Sequence, residues 1–321
     1  MDRRPGVGSG EPRRYRVLCS REAGNELVAA ECRALTGGLP DPDGVATAQT
    51  LDRVPQAAYI KFGLRLLAEG KTLNALVAKL AACPLEGAEG FRLDLVRLSG
   101  EPSPSRSEAI RTVASVIPAR PNLSVPSLRL LLVQQRLRWW LGRLEALPDR
   151  SYRRHDRKPF RTSSSLPSRL ARALVNLLPP QARTLLDPCC GTGSILLEAA
   201  ALGLEAVGLD WNPKMVRMSQ KNLSHFGYTA TVHQADARTW SSPADAVVTD
   251  LPYGRNLQTT QELIAAILSN CARLAPFGVF VFSEEIGRLL LRVGYRRVEV
   301  YRVPKGRSFV RYVHVGVRSP N

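Results

Sequence analysis

The alternation of short apolar strands with longer helices after Pro167 is the feature that most constrains this fold. Strands are predicted at 184–186, 206–209, 229–233, 246–249 and 279–282. Helices are predicted at 167–178, 194–202, 213–226, 258–274 and 284–293. Apolar strands separated by helices are typical of a parallel sheet that is covered on both faces. Residues 164–321 are therefore predicted to form a doubly wound α/β domain.

The end of the chain departs from this alternation. Residues 296–303 and 308–317 both have strand character, and Pro304-Lys-Gly306 lies between them. Two consecutive strands joined by a short turn indicate an antiparallel hairpin. With the five preceding strands, this hairpin predicts a seven-stranded, Rossmann-like sheet.

The first predicted strand of this domain runs into a glycine-rich turn, Asp187-Pro-Cys-Cys-Gly191-Thr192-Gly193. Glycines at such a turn allow a ligand to approach the backbone closely. The spacing is not Gly-x-Gly-x-x-Gly, and Asp187 would repel a pyrophosphate but attract the α-amino group of a methionine moiety. The turn therefore favours S-adenosylmethionine over a dinucleotide.

Two further acids follow the next two predicted strands. Asp210 can accept hydrogen bonds from both ribose hydroxyls, and the neighbouring Trp211 can cover an adenine face. Asp236 can accept from the adenine amine, with the Ala237 amide near the ring. One such acid is often only a helix cap. Three at successive strand ends predict a binding site for the whole cofactor.

The fourth strand ends in Asp250-Leu251-Pro252-Tyr253-Gly254, which we predict to be catalytic. The stretch resembles the Asp/Asn-Pro-Pro-Tyr motif of methyltransferases that act on amino groups conjugated to a ring or carbonyl, with Leu251 at a common proline position. The acceptor nitrogen would donate its two N–H hydrogen bonds to the Asp250 carboxylate and to the Leu251 carbonyl. The Asp250 carboxylate would also border the cofactor. Tyr253 would stack on a base that has been flipped out of its helix.

The formal net charge of +17 points to a polyanionic partner, with nucleic acid as the first candidate. Positive charge is dense in the stretch that precedes the α/β domain, where aromatic residues are interleaved with it. Such a segment can follow a phosphate backbone while its aromatic side chains stack on bases. The candidate RNA-binding residues are Arg150, Arg153, Arg154, Arg157, Lys158 and Arg161.

The chain before this basic segment mixes helices and strands without a nucleotide-binding loop, which indicates an α+β accessory region. We predict a flexible tail at 1–14, an α+β region at 15–145, and a basic linker at 146–163. The six cysteines and four histidines show no metal-ligand spacing, so no metal is expected. The sequence contains neither a secretion signal nor a membrane span, and we expect a cytoplasmic monomer.

Taken together, these stretches resemble the tRNA guanine-N2-methyltransferases that contain a THUMP domain, especially the enzymes acting on guanosine 10 in archaea and eukaryotes. The most specific similarity lies in 167–176, 187–198, 250–254 and 306–315. The resemblance implies a class I methyltransferase domain, a ferredoxin-like region at 15–86 and a THUMP-like region at 87–145. It also implies S-adenosylmethionine as cofactor and guanine N2 of tRNA as methyl acceptor, and leaves open a small activating protein subunit.

Other functions remain open at this point. The same motif serves adenine N6 in DNA or RNA and the amide of a protein glutamine. A DNA enzyme would normally carry a target-recognition region near the motif, and the positive charge disfavours the glutamine. A third alternative is an RNA-binding protein whose methyltransferase domain is inactive. Acids at all four strand ends argue against it.

Overall fold

A computed structural model describes residues 14–82, 90–99, 104–252, 260–306 and 309–318. The strands are β1 (Tyr15–Cys19), β2 (Val45–Ala48), β3 (Ile60–Gly70), β4 (Phe91–Ser99), β5 (Leu128–Gln135), β6 (Arg138–Ala146), β7 (Thr184–Asp187), β8 (Glu205–Asp210), β9 (Thr231–Gln234), β10 (Ala246–Asp250), β11 (Phe277–Phe282), β12 (Arg297–Lys305) and β13 (Phe309–Val317). The α-helices are α1 (Leu27–Thr36), α2 (Leu73–Ala82), α3 (Arg106–Ala114), α4 (Ser168–Asn176), α5 (Ser194–Ala201), α6 (Pro213–His225), α7 (Gln261–Leu274) and α8 (Gly287–Arg292). Short 3₁₀ turns cover Val54–Gln56 and Ser151–Arg157.

The described chain divides into two compact units. The first unit contains residues up to 148, except for 22–35 and 56–59. The second unit contains these two segments together with the chain from 149 onwards.

The first unit is built on one six-stranded sheet with the order β2-β1-β3-β6-β5-β4. Only β4 and β5 pair in parallel; the other neighbours are antiparallel. Leu132 and Val133 are adjacent in β5 but belong to different apolar clusters, so the sheet buries side chains on both faces. The pairing of β3 with β6 places strands from both sides of position 86 in a single sheet.

The sequence analysis did not predict β3, although it is 11 residues long. Two features conceal its strand pattern. Gly63 interrupts the run of apolar residues, and the pairing register with β6 shifts between Leu66 and Ala68. A Cβ at Gly63 would lie 2.7 Å from Cδ2 at the end of the Leu51 side chain, so a larger residue would force that side chain to shift. This close contact between residues distant in sequence explains a glycine inside a strand.

The second unit contains the predicted seven-stranded sheet, with the order β12-β13-β11-β10-β7-β8-β9. Five strands run in parallel, and β13 pairs antiparallel with both β11 and β12. Right-handed crossovers place α5 and α6 on one face and α7 on the other, because the strand order advances in opposite directions from β7 and β10. The predicted seven-stranded, Rossmann-like sheet and its terminal antiparallel hairpin are confirmed.

The segment 22–35 lies in the second unit, although the sequence grouped it with the N-terminal region. The reason is a buried acid on α1. Glu31 has 0% exposure, and its carboxylate accepts hydrogen bonds from the Ala58 amide (2.8 Å), the Tyr59 amide (2.7 Å) and Asn176 Nδ2 on α4 (2.7 Å). Burial raises the pKa of Glu31 despite these donors.

Within the described residues, no helix combines the length and apolar character needed to cross a bilayer.

Candidate active site

Asp187 and Asp250 end two adjacent parallel strands at the point where the order of the second sheet reverses. The chain proceeds from β7 through β8 to β9 in one direction, and from β10 to β11 in the other. In open α/β sheets, ligands bind in the crevice outside the carboxyl ends of the strands at such a reversal. The predicted cofactor and catalytic acids therefore lie where this fold forms its crevice.

Asp187 is the most deeply buried acid of the group, with 1% exposure. Its Oδ1 accepts hydrogen bonds from Thr249 Oγ1 (2.8 Å) and from the Cys189 amide (3.3 Å). Burial, with a smaller contribution from repulsion by Asp250 and Asp210, raises the pKa of Asp187 to about 7. Asp187, Asp210 and Asp250 end β7, β8 and β10, which are neighbouring strands of the sheet.

The glycine-rich turn uses its two glycines for different purposes. Gly191 has φ +52°, and a Cβ there would meet no atom within 4 Å, so the turn borders open space. Gly193 has φ +79°, and a Cβ there would lie 2.4 Å from Ser219 Oγ on α6. Gly191 therefore gives a ligand access, whereas Gly193 allows the turn to pack against α6.

Thr192 was predicted to contact the cofactor, but its polar groups are engaged with the surrounding protein. It is buried, its hydroxyl lies 2.9 Å from Ser165 Oγ, and its carbonyl accepts from Asn222 Nδ2 at 2.9 Å. These contacts fix the turn to α6 and to the chain before α4. The sequence did not single out Asn222, because an asparagine in a helix carries no motif signal.

Asp210 is oriented by two backbone donors. Oδ2 accepts from the Gly191 amide at 3.0 Å, and Oδ1 accepts from the Asn212 amide at 2.8 Å. Burial raises the pKa of Asp210. The next side chain, Trp211, is 75% exposed, which is unusual for an indole. The Trp211 ring is thus exposed to solvent next to the Asp210 carboxylate, whose orientation is fixed by its hydrogen bonds.

Asp236 has a cationic partner in the folded protein. Arg238 forms an ion pair with it at 2.6 Å, and the Arg238 amide donates to Oδ1 at 2.9 Å. The Arg238 side chain holds the pKa of Asp236 below its usual range. An adenine amine would have to share this carboxylate with Arg238.

A residue that the sequence analysis missed holds the backbone of this turn. Asn270 on α7 donates through Nδ2 to the carbonyls of Ala237 (2.8 Å) and Trp240 (2.9 Å). Arg273 also donates to the Trp240 carbonyl at 2.8 Å. Only the tertiary structure brings α7 to this turn, which lies more than 30 residues earlier in the chain.

The stretch from Asp250 to Pro252 leaves the end of β10. The Leu251 amide donates to the Val281 carbonyl at 3.0 Å, and the Leu251 side chain is buried with 1% exposure in the core below α7 and α8. The apolar core therefore accommodates leucine at this common proline position. Tyr253, predicted to stack on the base, lies outside the described residues.

The basic segment is largely folded onto the second unit. Its 3₁₀ turn buries Tyr152 and His155, and Lys158 has 6% exposure. Lys158 Nζ donates to Ser194 Oγ on α5, and burial lowers the pKa of Lys158 to about 8. Lys158, which the sequence analysis assigned to RNA binding, has its ammonium group enclosed by protein, and its contact with RNA stays a prediction.

A buried ionic network fixes this turn. Glu198 on α5 accepts from His155 Nδ1 at 2.6 Å through Oε1 and from Arg172 Nε at 2.8 Å through Oε2. His155 Nε2 lies 3.1 Å from the Tyr228 hydroxyl. The turn is thus a structural part of the second unit rather than a free linker.

The remaining five arginines predicted to contact RNA all lie on the surface. Arg154 donates to the Tyr228 hydroxyl, and Arg161 donates to the Asp156 carbonyl at 3.3 Å. Arg150 adopts a left-handed backbone conformation with φ +56° at the start of the 3₁₀ turn. The other two are Arg153 and Arg157. No metal-binding cluster of His, Cys, Asp or Glu occurs within the described ranges.

This sheet order, with one antiparallel strand near its edge and acids at the reversal point, defines a class I methyltransferase. Residues 154–284 match the UPF0020 family, described as an RMKL-like methyltransferase domain. The crystal structure of TrmN from Thermus thermophilus is similar to the chain with a TM-score of 0.50 at 20% identity, covering 95% of this chain and 99% of that one. This likeness supports the fold.

Curated relatives narrow the class further. A probable tRNA (guanine(10)-N2)-dimethyltransferase from Methanothermococcus thermolithotrophicus is 30% identical over 169 residues, 48% of this chain and 100% of that protein. A tRNA (guanine(10)-N2)-dimethyltransferase from Methanothermobacter thermautotrophicus is 42% identical over 113 residues, 34% of each chain. The chain belongs to the family of these methyltransferases. It spans only 34%, 43% and 60% of three curated relatives with that name.

Proposed function

We propose that this protein transfers a methyl group from S-adenosylmethionine to the exocyclic N2 of a guanosine in tRNA, at position 10. The observation that carries the proposal is the grouping of Asp187, Asp210 and Asp250 at the sheet reversal, with Leu251-Pro252 directly after the last acid. Family membership and the charge of +17 support an RNA substrate.

The residues of the crevice fit S-adenosylmethionine. Gly191 borders open space, Asp187 can pair with the α-amino group, and the carboxylate of Asp210 is oriented for the ribose hydroxyls. Trp211 offers an exposed ring for the adenine, and the turn at Asp236 and Ala237 completes the proposed site. When bound, the cofactor would supply a methyl group activated by its sulfonium, with a neutral thioether as the leaving group.

The acceptor nitrogen is a poor nucleophile because its lone pair is delocalised into the guanine ring. We propose that the Asp250 carboxylate and the Leu251 carbonyl accept hydrogen bonds from the two N–H groups of this nitrogen, so that its lone pair points toward the methyl group. Most of the rate gain is then positioning and electrostatic stabilisation. Tyr253 is proposed to stack on the extruded base.

Two substitutions separate cofactor binding from turnover. Asp210→Ala should weaken S-adenosylmethionine binding by at least about tenfold, since it removes the acceptor for two ribose hydroxyls. Asp250→Ala should leave binding within about twofold but lower turnover by about 100-fold or more, because it removes an interaction made with the acceptor. Calorimetry measures the binding, and mass spectrometry of tRNA nucleosides measures turnover.

Glu205→Ala is a matched control, because this exposed acid lies at the opposite end of β8 from Asp210. Glu205→Ala should change neither the affinity for S-adenosylmethionine nor the turnover. Full activity of Asp250→Ala would overturn the catalytic assignment. If the product is N6-methyladenosine rather than an N2-methylated guanosine, the acceptor is adenine. If the intact chain gives no methylated nucleoside with tRNA although it binds tRNA, the inactive RNA-binding alternative applies.

A further inference from the structure

One face of α6 carries a row of basic residues that the proposed active site does not use. Lys214, Arg217, Lys221 and His225 follow one another at intervals of three or four residues, so they lie on the same side of the helix. All four side chains are exposed, and the sequence of α6 contains no acidic residue. We call these four residues the α6 stripe.

The opposite face of α6 is occupied by the core. Val216, Ser219, Asn222 and Leu223 are buried there. A helix that lies on a membrane needs an apolar face to insert between lipids. Because the apolar face of α6 is already covered by protein, the stripe suits a polyanion in water better than a lipid surface.

A groove of about 470 Å³ lies along the stripe. It is lined by Pro159, Arg217, Gln220, Lys221, Ser224 and His225. Its wall on the Pro159 side is fixed, because the Phe160 amide donates to Asn222 Oδ1 at 3.0 Å and Asn222 Nδ2 donates to the Phe160 carbonyl at 2.9 Å. Lys221 Nζ lies 5.4 Å from the centre of the Phe160 ring. The groove therefore has a fixed wall at Pro159, and the basic side chains of Arg217 and Lys221 line it.

The stripe begins at the candidate active site. Asn212 caps α6 by accepting from the Lys214 amide at 2.9 Å, and it directly follows Asp210 and the exposed Trp211. From Lys214 to His225 the helix extends away from the crevice by about 16 Å at 1.5 Å per residue. A chain that enters the crevice can thus continue along the stripe.

Arg154 extends the positive surface beyond the end of α6. Its guanidinium lies 5.9 Å from the centre of the Phe226 ring and 5.5 Å from that of Tyr228. Stacking against these rings restricts the arginine while leaving its charge at the surface.

We propose that the α6 stripe and its groove form a track for the backbone phosphates of the RNA substrate, which holds the strand leading to the crevice. The identification of the polyanion as RNA rests on the proposed function. In this proposal Lys214, Arg217 and Lys221 contact phosphates, which position the RNA but carry no base-sequence information.

The test compares two triple variants that each remove three positive charges from the second unit. The stripe variant is Lys214→Gln, Arg217→Gln and Lys221→Gln. The control variant is Arg288→Gln, Arg292→Gln and Arg296→Gln, whose arginines are exposed on α8 and in the turn after it. Fluorescence anisotropy with labelled tRNA transcript, at several salt concentrations, gives the slope of log K against log salt for each protein. Thermal melting checks that both variants fold.

The stripe variant should lose about two units of this slope, at roughly 0.7–0.9 per phosphate contact removed. Its affinity for tRNA at moderate salt should fall by about tenfold or more, while its Kd for S-adenosylmethionine stays within twofold. The control variant should lose less than half a unit. Equal slopes for the two variants would overturn the proposal, since binding would then follow total charge alone. The proposal would also be overturned if the stripe variant lost binding to phosphatidylserine vesicles while its binding to tRNA stayed unchanged.

The outcome is separable from that of the proposed function, because slope and product identity are measured independently. A lost slope in the stripe variant supports the track even if the wild-type protein forms no N2-methylguanosine. An unchanged slope overturns the track even if the wild-type protein methylates guanosine.

Discussion

Asp187 combines complete burial with two acidic neighbours, and this environment favours its neutral form. The hydrogen bonds from Thr249 and from the Cys189 amide compensate only in part. In the unfolded chain the carboxyl would titrate near 3.8, whereas in the folded protein its pKa is about 7. The contribution of Asp187 to stability is therefore present at low pH and is lost as pH rises from about 4 to about 7.

This shift predicts a pH-dependent affinity for the proposed cofactor. An α-amino group beside Asp187 favours the ionised carboxylate, so binding below pH 7 should release a proton. The Kd of S-adenosylmethionine should fall by up to about tenfold per pH unit as pH rises toward 7, and level off above it. Calorimetry in two buffers of different ionisation enthalpy measures both effects.

The Asp187→Asn variant serves as the control, because its amide does not titrate in this range. It should bind more weakly, and its Kd should not vary with pH between 5.5 and 7.5. A wild-type Kd that is equally constant over this range would remove Asp187 from the amino-group site.

At the scale of elements, α1 is held by a buried acid rather than by apolar packing alone. Three donors converge on Glu31: two backbone amides at Ala58 and Tyr59, and the side chain of Asn176. The chain nearby is also fastened by Arg169, whose Nε donates to the Ala58 carbonyl at 3.1 Å. The order of α1 thus depends on α4, far along the chain.

Removing this acid should destabilise the second unit. Glu31→Ala leaves three buried donors without their acceptor, and we expect a loss of about 3 kcal/mol in the free energy of unfolding. Glu22→Ala on the same segment breaks a partly exposed ion pair with Arg169 and a hydrogen bond from Asn25, and should cost less than about 1 kcal/mol. Urea unfolding measures both. Similar losses for the two variants would mean that Glu31 is not a structural anchor.

The elements of the second unit could be predicted where their signal is local. The end of α6 was predicted within one residue, and its start at Pro213 was predicted correctly. The start of α7 was predicted at 258 but lies at Gln261, because Thr260 Oγ1 accepts from the Leu263 amide and caps the helix there. The strand β3 could not be predicted, because its glycines have meaning only through contacts with other parts of the first unit.

At the scale of the whole molecule, the two units do not follow a single cut in the sequence. The second unit includes 22–35 and 56–59 besides the chain after 149. Our domain limits of 15–86, 87–145, 146–163 and 164–321 stay a prediction, and so does the THUMP-like interpretation of 87–145. The limits were drawn from changes in local sequence pattern and from the family resemblance, and local pattern carries no information about which segments pack together.

This composition of the second unit predicts how a fragment should behave. A fragment of residues 149–321 lacks α1 and 56–59, and would expose the donor of Asn176 and the apolar surfaces that these segments cover. We expect it to unfold at a temperature at least about 5 °C below that of the intact protein, or to aggregate. Circular dichroism melting measures this. A fragment as stable as the intact chain would show that the two segments contribute little.

The sequence by itself determined the α/β alternation, the terminal hairpin and the positions of the acids Asp187, Asp210 and Asp250. These follow from local periodicity and from the rule that parallel strands end at one edge of a sheet. Only the tertiary structure decided which charged side chains are exposed and free of a charged protein partner, and which are buried or paired within the protein. Lys158 is buried against α5, Asp236 is paired with Arg238, and the α6 stripe borders a groove. Burial and pairing depend on neighbours distant in sequence, which local patterns do not contain.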